Sequence, residues 1–268
     1  TYTQYNYTDS NDSISDLIHS SNISGYYNNH YIYAKDGNDT IEIMEVTSTV
    51  YGGNGNDSIT LKSGDAYGGE GNDAIAINNG IAYGENGDDL IIIQAGDAYG
   101  GDGNDSITIL TDASYGGDGN DVLMGSGQFY GGKGDDTLIA NNDSAYMNGG
   151  EGADILQGGS GNDTYIVDEL DILQLENETG GYDTIVYQYD VGNIDLANSQ
   201  FEAIELFGFS DSYLLGNTAN NSLIGNSGNN YLDGRTGSDY MAGGAGDDYY
   251  VVDVTDTIIT DEDGNTPV

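Results

Sequence analysis

A six-residue motif of glycine and aspartate recurs along this chain at intervals that a stacked fold can satisfy. The pattern Gly-Gly-x-Gly-x-Asp occurs intact eight times, beginning at Gly52, Gly68, Gly100, Gly116, Gly131, Gly149, Gly158 and Gly243. Segments 34–39, 84–89 and 234–239 keep the last glycine and the aspartate, whereas 216–221 and 225–230 end in asparagine. A motif that returns at a fixed interval is typical of a solenoid, in which each repeat forms one coil.

The interval between motifs predicts two arrangements in one chain. The aspartates at motif position six are 16 residues apart from Asp57 to Asp121, and Asp136 and Asp154 follow after 15 and 18 residues. From Asn221 onwards the interval is nine. A 16-residue coil with a short second turn returns its motif to the same edge of the stack. The nine-residue interval places successive motifs on alternate edges.

Short strands are predicted between the turns. Ile59 and Leu61, like the isoleucine pairs of the following repeats, alternate with smaller or outward residues, which is the period of a strand with one buried face. On the return side a column of alanines is expected to face inward: Ala66, Ala82, Ala98 and Ala113. The tyrosines that follow, Tyr67, Tyr83 and Tyr99, are expected to face outward, as stacked aromatics that seal the wall or as a binding surface.

The charge of the chain excludes several classes of function. Asp and Glu number 46 against 4 Lys and Arg, so the formal net charge is −42. Binding to nucleic acid or to an anionic membrane surface needs basic residues, so both classes are unfavourable. Only 37% of residues are apolar and there is no cysteine. Without added cations we expect the chain to stay disordered.

The motif has the chemistry of a calcium site. Three glycines in six residues allow positive φ, so that carbonyl oxygens converge beside a carboxylate. Calcium accepts six to eight such oxygens, whereas zinc prefers His or Cys, and the chain has two histidines. Because stacked coils lie about 4.8 Å apart, one ion fits between two consecutive turns. A dozen ions would reduce the net charge from −42 to about −18.

The segment Gly52-Gly53-Asn54-Gly55-Asn56-Asp57-Ser58-Ile59-Thr60 resembles the nonapeptide of the RTX (repeats-in-toxin, hemolysin-type) calcium-binding family. The resemblance covers most of residues 34–253, and 158–230 looks like a module common in large secreted bacterial proteins. It implies an all-β, right-handed parallel β-roll or β-helix solenoid with multiple Ca²⁺ ions between stacked turns. It also implies that the carbonyls of positions two and four, with the aspartate, serve one ion, while carbonyls one and three serve its neighbour.

The metal ligands that this resemblance implies are the residues of the motif turns. Asn221 and Asn230 depart from the pattern, and amide ladders are the alternative to ions there. For the 16-residue block we expect a single row of ions. The implied ligand set is Gly37, Asp39, Gly52, Gly53, Asn54, Gly55, Asp57, Gly68, Gly69, Glu70, Gly71, Asp73, Gly84, Glu85, Asn86, Gly87, Asp89, Gly100, Gly101, Asp102, Gly103, Asp105, Gly116, Gly117, Asp118, Gly119, Asp121, Gly131, Gly132, Lys133, Gly134, Asp136, Gly149, Gly150, Glu151, Gly152, Asp154, Gly159, Gly161, Asp163, Gly234, Gly237, Asp239, Gly244, Gly246 and Asp248.

The repeats divide the chain into five segments. Residues 1–33 are predicted to be an N-terminal cap or degenerate coils, and 34–164 a roll of 16-residue coils. Residues 165–215 are glycine-poor solenoid coils, 216–253 a roll with nine-residue steps, and 254–268 a tail or the start of a further module. The run Tyr165-Ile166-Val167-Asp168 returns as Tyr250-Val251-Val252-Asp253. We therefore expect the chain to be a piece of a longer array.

The sequence predicts a non-catalytic protein. It lacks His-Glu-x-x-His, Gly-x-Ser-x-Gly and a cysteine nucleophile. The leading hypothesis is a calcium-binding module that folds after export by a one-step (type I) bacterial route, as a spacer or folding aid of a larger secreted or cell-surface toxin, adhesin or enzyme. The alternative is a carbohydrate-binding module, resembling the repeats of alginate epimerases, in which the tyrosine column binds glycans. A glycan or host-surface ligand would then be a partner besides calcium. Ice binding is disfavoured because no regular threonine ladder is present.

Overall fold

The computed structural model describes residues 3–6, 13–15, 30–44, 47–141, 144–174, 181–197 and 199–259, with the backbone alone for 3–6, 13–15 and 30. These described residues form 29 β-strands and no helix. The chain divides into two compact units. Unit 1 comprises Thr1–Asn141 and Gly149–Ile155, and unit 2 comprises Asn142–Asn148 and Leu156–Val268. None of the described residues forms a helix that is long and apolar enough to cross a membrane.

Unit 1 is a parallel β-solenoid. Its strands are β1 (Thr3–Asn6), β2 (Ser13–Ser15), β3 (His30–Asp36), β4 (Thr40–Ile43), β5 (Ser48–Asn54), β6 (Ser58–Leu61), β7 (Gly64–Glu70), β8 (Ala74–Ile77), β9 (Ala82–Asn86), β10 (Leu90–Ile93), β11 (Ala98–Asp102), β12 (Ser106–Ile109), β13 (Ala113–Asp118), β14 (Val122–Gly125), β15 (Gln128–Lys133) and β16 (Thr137–Ala140), followed by β17 (Tyr146–Glu151) and β18 (Ile155–Gln157), which each have residues in both units.

Two sheets alternate along the chain of unit 1. The odd-numbered strands from β1 to β15 pair in parallel, each with the next odd strand. The even-numbered strands from β2 to β16 form the second sheet in the same way. The motif turn joins each odd strand to the following even strand, and the return turn leads back. The prediction that 16-residue coils keep their motifs on one edge is confirmed, since Ser58 lies opposite Ala74 and Leu90 opposite Ser106.

The core of unit 1 consists of straight columns of apolar side chains between the two sheets. On the even strands one fully buried column runs through Ile41, Ile59, Ile75, Ile91, Ile107, Leu123 and Leu138. Burying one such side chain stabilises the fold by about 1.5–3 kcal/mol. In the middle coils the column opposite is built from small residues, because two large columns would overfill a thin coil there.

The expected inward alanine column is confirmed except at its last member. Ala66, Ala82 and Ala98 are fully buried and lie opposite one another. The next residue in register is Ser114, not Ala113, and Phe129 follows. The regular 16-residue step from Ala98 leads to Ser114, so Ala113 lies one residue short of the column, and the 15-residue step follows between Ser114 and Phe129. The tyrosines face outward, as expected, and are half-buried.

Unit 2 is also a parallel β-solenoid. Its strands are β19 (Thr164–Val167), β20 (Ile172–Leu173), β21 (Thr184–Tyr187), β22 (Asn193–Asp195), β23 (Ala203–Leu206), β24 (Tyr213–Leu215), β25 (Ser222–Ile224), β26 (Tyr231–Asp233), β27 (Tyr240–Ala242), β28 (Tyr249–Val251) and β29 (Thr257–Ile259).

The strands of unit 2 also form two parallel sheets. Odd strands from β19 to β29 make one sheet, and β22, β24, β26 and β28 make the other. The glycine-poor coils therefore continue the solenoid, as predicted. The strands that begin at Ser222, Tyr231, Tyr240 and Tyr249 lie alternately in the two sheets. The nine-residue interval thus places successive motifs on alternate edges, which confirms the prediction.

The first 33 residues contribute strands to unit 1. β1 pairs with β3 and β2 pairs with β4, so the backbone of these strands follows the coil pattern. The segment Ser10-Asn11-Asp12-Ser13-Ile14 resembles a degenerate copy of the motif, and it lies largely outside the described residues.

Candidate metal centre

The motif turns require glycine because neighbouring coils approach closely. Gly69 and Gly71 adopt φ of +117° and +122°, values that side chains strongly disfavour. A Cβ on Gly69 would lie 2.0 Å from the Gly53 oxygen, and one on Gly71 would lie 2.3 Å from the Gly55 oxygen. The carbonyls of positions two and four therefore point toward the next coil. This is the orientation expected for ligands of an ion held between coils.

The sixth-position aspartates of unit 1 form a continuous buried column. The N–H of Asp57 donates to Oδ1 of Asp73, one coil on, at 2.7 Å. The same bond, at 2.7–2.8 Å, links every consecutive pair. We call this set the aspartate column: Asp39, Asp57, Asp73, Asp89, Asp105, Asp121, Asp136 and Asp154.

In six members of this column the second carboxylate oxygen is buried and accepts no hydrogen bond from the residues that the structure describes. This holds for Oδ2 of Asp57, Asp73, Asp89, Asp105, Asp121 and Asp136. A buried carboxylate oxygen without a donor is costly, so each of these atoms calls for a cation or a proton.

A backbone carbonyl converges on each of these oxygens. A Cβ on Gly52 would meet Asp57 Oδ2 at 2.2 Å and the Gly68 oxygen, from the next coil, at 2.6 Å. The Asp57 Oδ2 atom and the Gly68 carbonyl oxygen thus lie close to the same position beside Gly52, and no hydrogen-bond donor of the described residues lies between them. The same cradle recurs at Gly68, Gly84, Gly100, Gly116 and Gly131. Two electron-rich oxygens in one buried place repel each other unless a cation lies beside them.

Burial perturbs the titration of the column. It raises the pKa of Asp73, Asp89, Asp105 and Asp136 to about 7 and that of Asp57 to about 6. Neighbouring aspartates raise these pKa values further, while the backbone N–H bonds oppose the shift. Near neutral pH, therefore, the ionised column is unfavourable without positive charge next to it.

The donor set fits calcium. Among the described residues no three Asp, Glu or His side chains converge on one point, so most of the ligands must be carbonyl oxygens. One carboxylate with several carbonyls is a hard-oxygen set that calcium accepts. For the turn at 68–73, Asp57 Oδ2 and the Gly68 carbonyl converge, and the Gly53 and Gly55 carbonyls point in the same direction along the stack.

Position-three residues use their carbonyls in a backbone ladder. The Gly55 N–H donates to the Glu70 oxygen at 2.7 Å, and the Gly71 N–H to the Asn86 oxygen at 2.8 Å. The same bond reaches the position-three oxygens of Asn54, Asp102, Asp118, Lys133 and Glu151. A carbonyl has a second lone pair, so a metal role for these atoms stays a prediction.

Position-three side chains pair along the exposed edge. Asn54 Nδ2 donates to Asp36 at 2.6 Å, and Asn86 Nδ2 donates to Glu70 at 2.8 Å. The Lys133 ammonium lies 2.6 Å from Asp118. The lysine therefore neutralises one carboxylate of this edge, whereas the two amides donate to carboxylates without changing their charge.

Position five forms a second ladder that the sequence analysis did not anticipate. The Asn72 N–H donates to Asn56 Oδ1, and the Asp88 N–H donates to Asn72 Oδ1, each at 3.1 Å. Here the side chain accepts from the following coil, whereas the aspartate column accepts from the preceding one. The repeated Asn or Asp before each motif aspartate was the available signal. Asp88 and Asp135 act as acceptors in the same ladder.

In unit 2 a column of acidic side chains follows the edge that precedes the odd strands. The Asp163 N–H donates to Asp183 Oδ1, and the Asp183 N–H donates to Glu202 Oε2, each at 2.9 Å. Asp183 and Glu202 were not among the predicted ligands, although Gly180-Gly181-Tyr182-Asp183 preserves part of the motif. Asp163 Oδ2 accepts from the Gly159 N–H at 3.0 Å. Asp239 Oδ2, in contrast, is buried without a hydrogen bond.

In the asparagine turns the side-chain amide donates to backbone oxygens. Asn230 Nδ2 donates to the Gly243 oxygen at 3.2 Å and to the Gly228 oxygen at 2.9 Å. Gly243 is at position one of the next coil on that edge, where an aspartate turn has its converging carbonyl. Asn221 Nδ2 donates to the Glu202 oxygen at 3.3 Å. An amide donor thus contacts oxygens that an aspartate would leave for a cation, which favours the amide alternative.

The outward tyrosines of unit 1 form a stacked ladder. Ring centroids lie 4.6–5.0 Å apart and neighbouring planes differ by at most 10°. Each inner ring is therefore covered on both faces by its neighbours. The ladder exposes ring edges and hydroxyls, whereas sugar stacking needs a free ring face. The members of this tyrosine ladder are Tyr33, Tyr51, Tyr67, Tyr83, Tyr99, Tyr115 and Tyr130.

Comparison with known protein families matches four copies of the RTX calcium-binding nonapeptide repeat, at residues 48–65, 115–129, 130–165 and 215–250. These four segments are RTX calcium-binding repeats. The first three RTX matches include turns of the aspartate column, and the fourth includes both asparagine turns and Asp239. No curated protein matches the chain as a relative.

Proposed function

We propose that this chain is a non-catalytic RTX module that folds on binding Ca²⁺ and serves as a structural spacer or folding aid of a larger secreted bacterial protein. RTX repeats occur generally in secreted bacterial proteins, and that supports the location. The observation that carries the calcium part is the row of buried, unpartnered Oδ2 atoms in the aspartate column, each beside a converging carbonyl.

Calcium binding and folding are coupled in this proposal. The cradle between two turns exists only when the coils are stacked, so calcium binds the folded chain in preference to the unfolded chain. At ten times its dissociation constant, one such site stabilises the fold by about 1.4 kcal/mol. A row of sites multiplies that effect, and the charge of −42 opposes folding when calcium is absent. The chain would thus cross a membrane unfolded from calcium-poor cytoplasm and fold outside.

A calcium titration followed by far-UV circular dichroism tests the proposal. The chelated chain is expected to lack the β spectrum and to gain it cooperatively at millimolar calcium. Magnesium at the same concentration is the control, since it demands a stricter octahedral geometry. A β spectrum that survives chelation at neutral pH would contradict the proposal.

The tyrosine ladder weighs against carbohydrate binding as the main function. Its inner rings have no free faces, because neighbours stack on both sides at 4.6–5.0 Å. A glycan array probed in calcium with the wild type and a Tyr67→Ala/Tyr83→Ala variant separates the two functions. We expect no glycan signal that depends on these tyrosines, and a signal lost in the variant would favour the alternative.

A further inference from the structure

Three of the four basic residues of the chain lie inside motif turns. Lys35 and Arg235 stand at position two and Lys133 at position three, whereas Lys62 lies in a return turn. In so acidic a chain, this placement puts scarce positive charge where calcium would otherwise supply it. Arg235 is the best defined of the three.

Arg235 bridges two polar groups of unit 2. Its Nη1 donates to the Gly216 oxygen at 2.5 Å, and its Nη2 lies 2.6 Å from Asp195 Oδ1. Its own N–H donates to Asp233 Oδ1 at 2.9 Å. The guanidinium is planar and permanently charged, so it can hold a carbonyl and a carboxylate at once.

The carbonyl that Arg235 contacts belongs to the calcium-binding pattern. Gly216 is at position one of the turn 216–221, and 234–239 is the turn stacked on it, one coil on. A Cβ on Gly216 would meet Asn221 Oδ1 at 2.6 Å and the Gly234 oxygen at 2.7 Å, which is the cradle of the aspartate turns with an amide in place of the carboxylate. Arg235, in the turn 234–239, thus contacts the turn 216–221 of the coil before it.

Two side-chain oxygens of this turn already have donors. Asn221 Oδ1 accepts from the Asn217 N–H at 2.8 Å, and Asn217 Oδ1 accepts from the Ala219 N–H at 2.8 Å. With Arg235 on the Gly216 carbonyl, this turn has a cation beside its position-one oxygen without a metal. The contact is kept although Arg235 has φ of +67°, a left-handed conformation that non-glycine residues disfavour.

We propose that Arg235 is an internal cation that takes the place of one calcium ion between the Gly216 carbonyl of the turn 216–221 and Asp195. The inference rests on the proposed calcium function. It makes this step of unit 2 independent of the metal, while the aspartate turns depend on it. The cation site consists of the Gly216 carbonyl and Asp195, and the chain fills it with its own side chain.

A double-mutant cycle tests this substitution. Arg235→Gly restores Gly-Gly-x-Gly-x-Asp in the turn 234–239, and Asn221→Asp restores the carboxylate in the turn 216–221. Bound calcium per chain is counted by native mass spectrometry and by isothermal titration. Asn221→Asp alone is expected to gain no ion, because the guanidinium remains. The double variant is expected to bind one ion more than the wild type.

Two further variants separate charge from fold. Arg235→Gln keeps a donor for the Gly216 oxygen but removes the charge, and it is expected to raise the calcium midpoint of folding by at least twofold. Lys62→Gln removes an equal charge from an exposed return turn, and its midpoint and ion count are expected to match those of the wild type. If the double variant does not fold, the Arg235→Gln midpoint decides.

The outcomes distinguish this inference from the proposed function. If the wild type binds no calcium, the proposed function itself is contradicted. A wild type that binds calcium, with an extra ion already present in Asn221→Asp or with no midpoint change in Arg235→Gln, overturns the role of Arg235 alone.

Discussion

Each aspartate of the column has two separate tasks, one for each carboxylate oxygen. Oδ1 accepts an N–H from the preceding coil and ties the stack together, while Oδ2 stays buried without a donor. An asparagine carries an amide donor in place of the second oxygen. Asn230 shows this, because its Nδ2 contacts the Gly243 oxygen, while its Oδ1 is buried without a hydrogen bond among the described residues.

Asp89→Asn should therefore replace one calcium cradle with a turn in which a side-chain amide contacts the converging carbonyl. Its Nδ2 is expected to donate to the Gly100 oxygen, which adds about 1 kcal/mol to the stability of the chelated chain. Calcium counting by native mass spectrometry should give at least one ion fewer than in the wild type. An unchanged count would mean that Asp89 does not hold calcium.

Gly68→Ala tests the cradle without replacing a charged residue. The added Cβ would lie 2.2 Å from Asp73 Oδ2 and 2.7 Å from the Gly84 oxygen. Filling such a space costs roughly 1–3 kcal/mol, and calcium should bind more weakly at this turn. Gly192→Ala is the control, since a Cβ there meets nothing within 4 Å. Isothermal titration that shows equal calcium binding for both variants would count against the cradle.

The raised pKa values predict an effect of acid on the chelated chain. Burial raises the pKa of Asp73, Asp89 and Asp105 to about 7 from 3.8, so between pH 4 and 7 the folded chain binds more protons than the unfolded one. Stability without calcium thus falls as the pH rises through this window. In chelator, circular dichroism should show more β structure at pH 5 than at pH 7.5. Equal spectra at both values would contradict the shifts.

The strand ladders follow from the repeat, and so most of the fold could be predicted from the sequence. Period-two alternation predicted which side chains are buried, and the 16- and nine-residue intervals predicted the edges. The prediction failed at Ala113, because the regular 16-residue step from Ala98 leads to Ser114. Ala113 and Ser114 are both buried, so residue type favoured the alanine, and only the pairing of the strands shows which of the two lies in the column.

The candidate site was predictable only in part. Glycine and aspartate spacing identified the turns, since few other patterns combine positive φ with a carboxylate. The amide ladder at position five and the role of Arg235 depend on which way each side chain points between coils. That direction is a property of the stacked structure, and a single turn does not reveal it.

The tyrosine ladder is expected to stabilise the strands that carry it. Tyr83 stacks on Tyr67 at 4.6 Å and on Tyr99 at 5.0 Å, and each such pair contributes about 0.5–1.5 kcal/mol beyond burial. In saturating calcium, Tyr83→Ala should lower the free energy of unfolding by roughly 1–3 kcal/mol in a denaturant titration. Tyr189→Ala is a matched control, because that side chain is 62% exposed. Equal losses in both variants would deny the ladder a structural role.

The whole chain combines a charge of −42 with a solenoid that buries a row of carboxylates. These two facts conflict unless positive charge enters the stack. The 4 basic residues cannot supply it alone, so the account requires divalent cations between the turns.

A crystal grown in calcium, measured near an X-ray energy at which calcium scatters anomalously, tests this requirement most directly. The account predicts a row of anomalous peaks in unit 1, each beside the Oδ2 atoms of Asp57, Asp73, Asp89, Asp105 and Asp121. Ordered turns with these oxygens still buried and no peak next to them would contradict it.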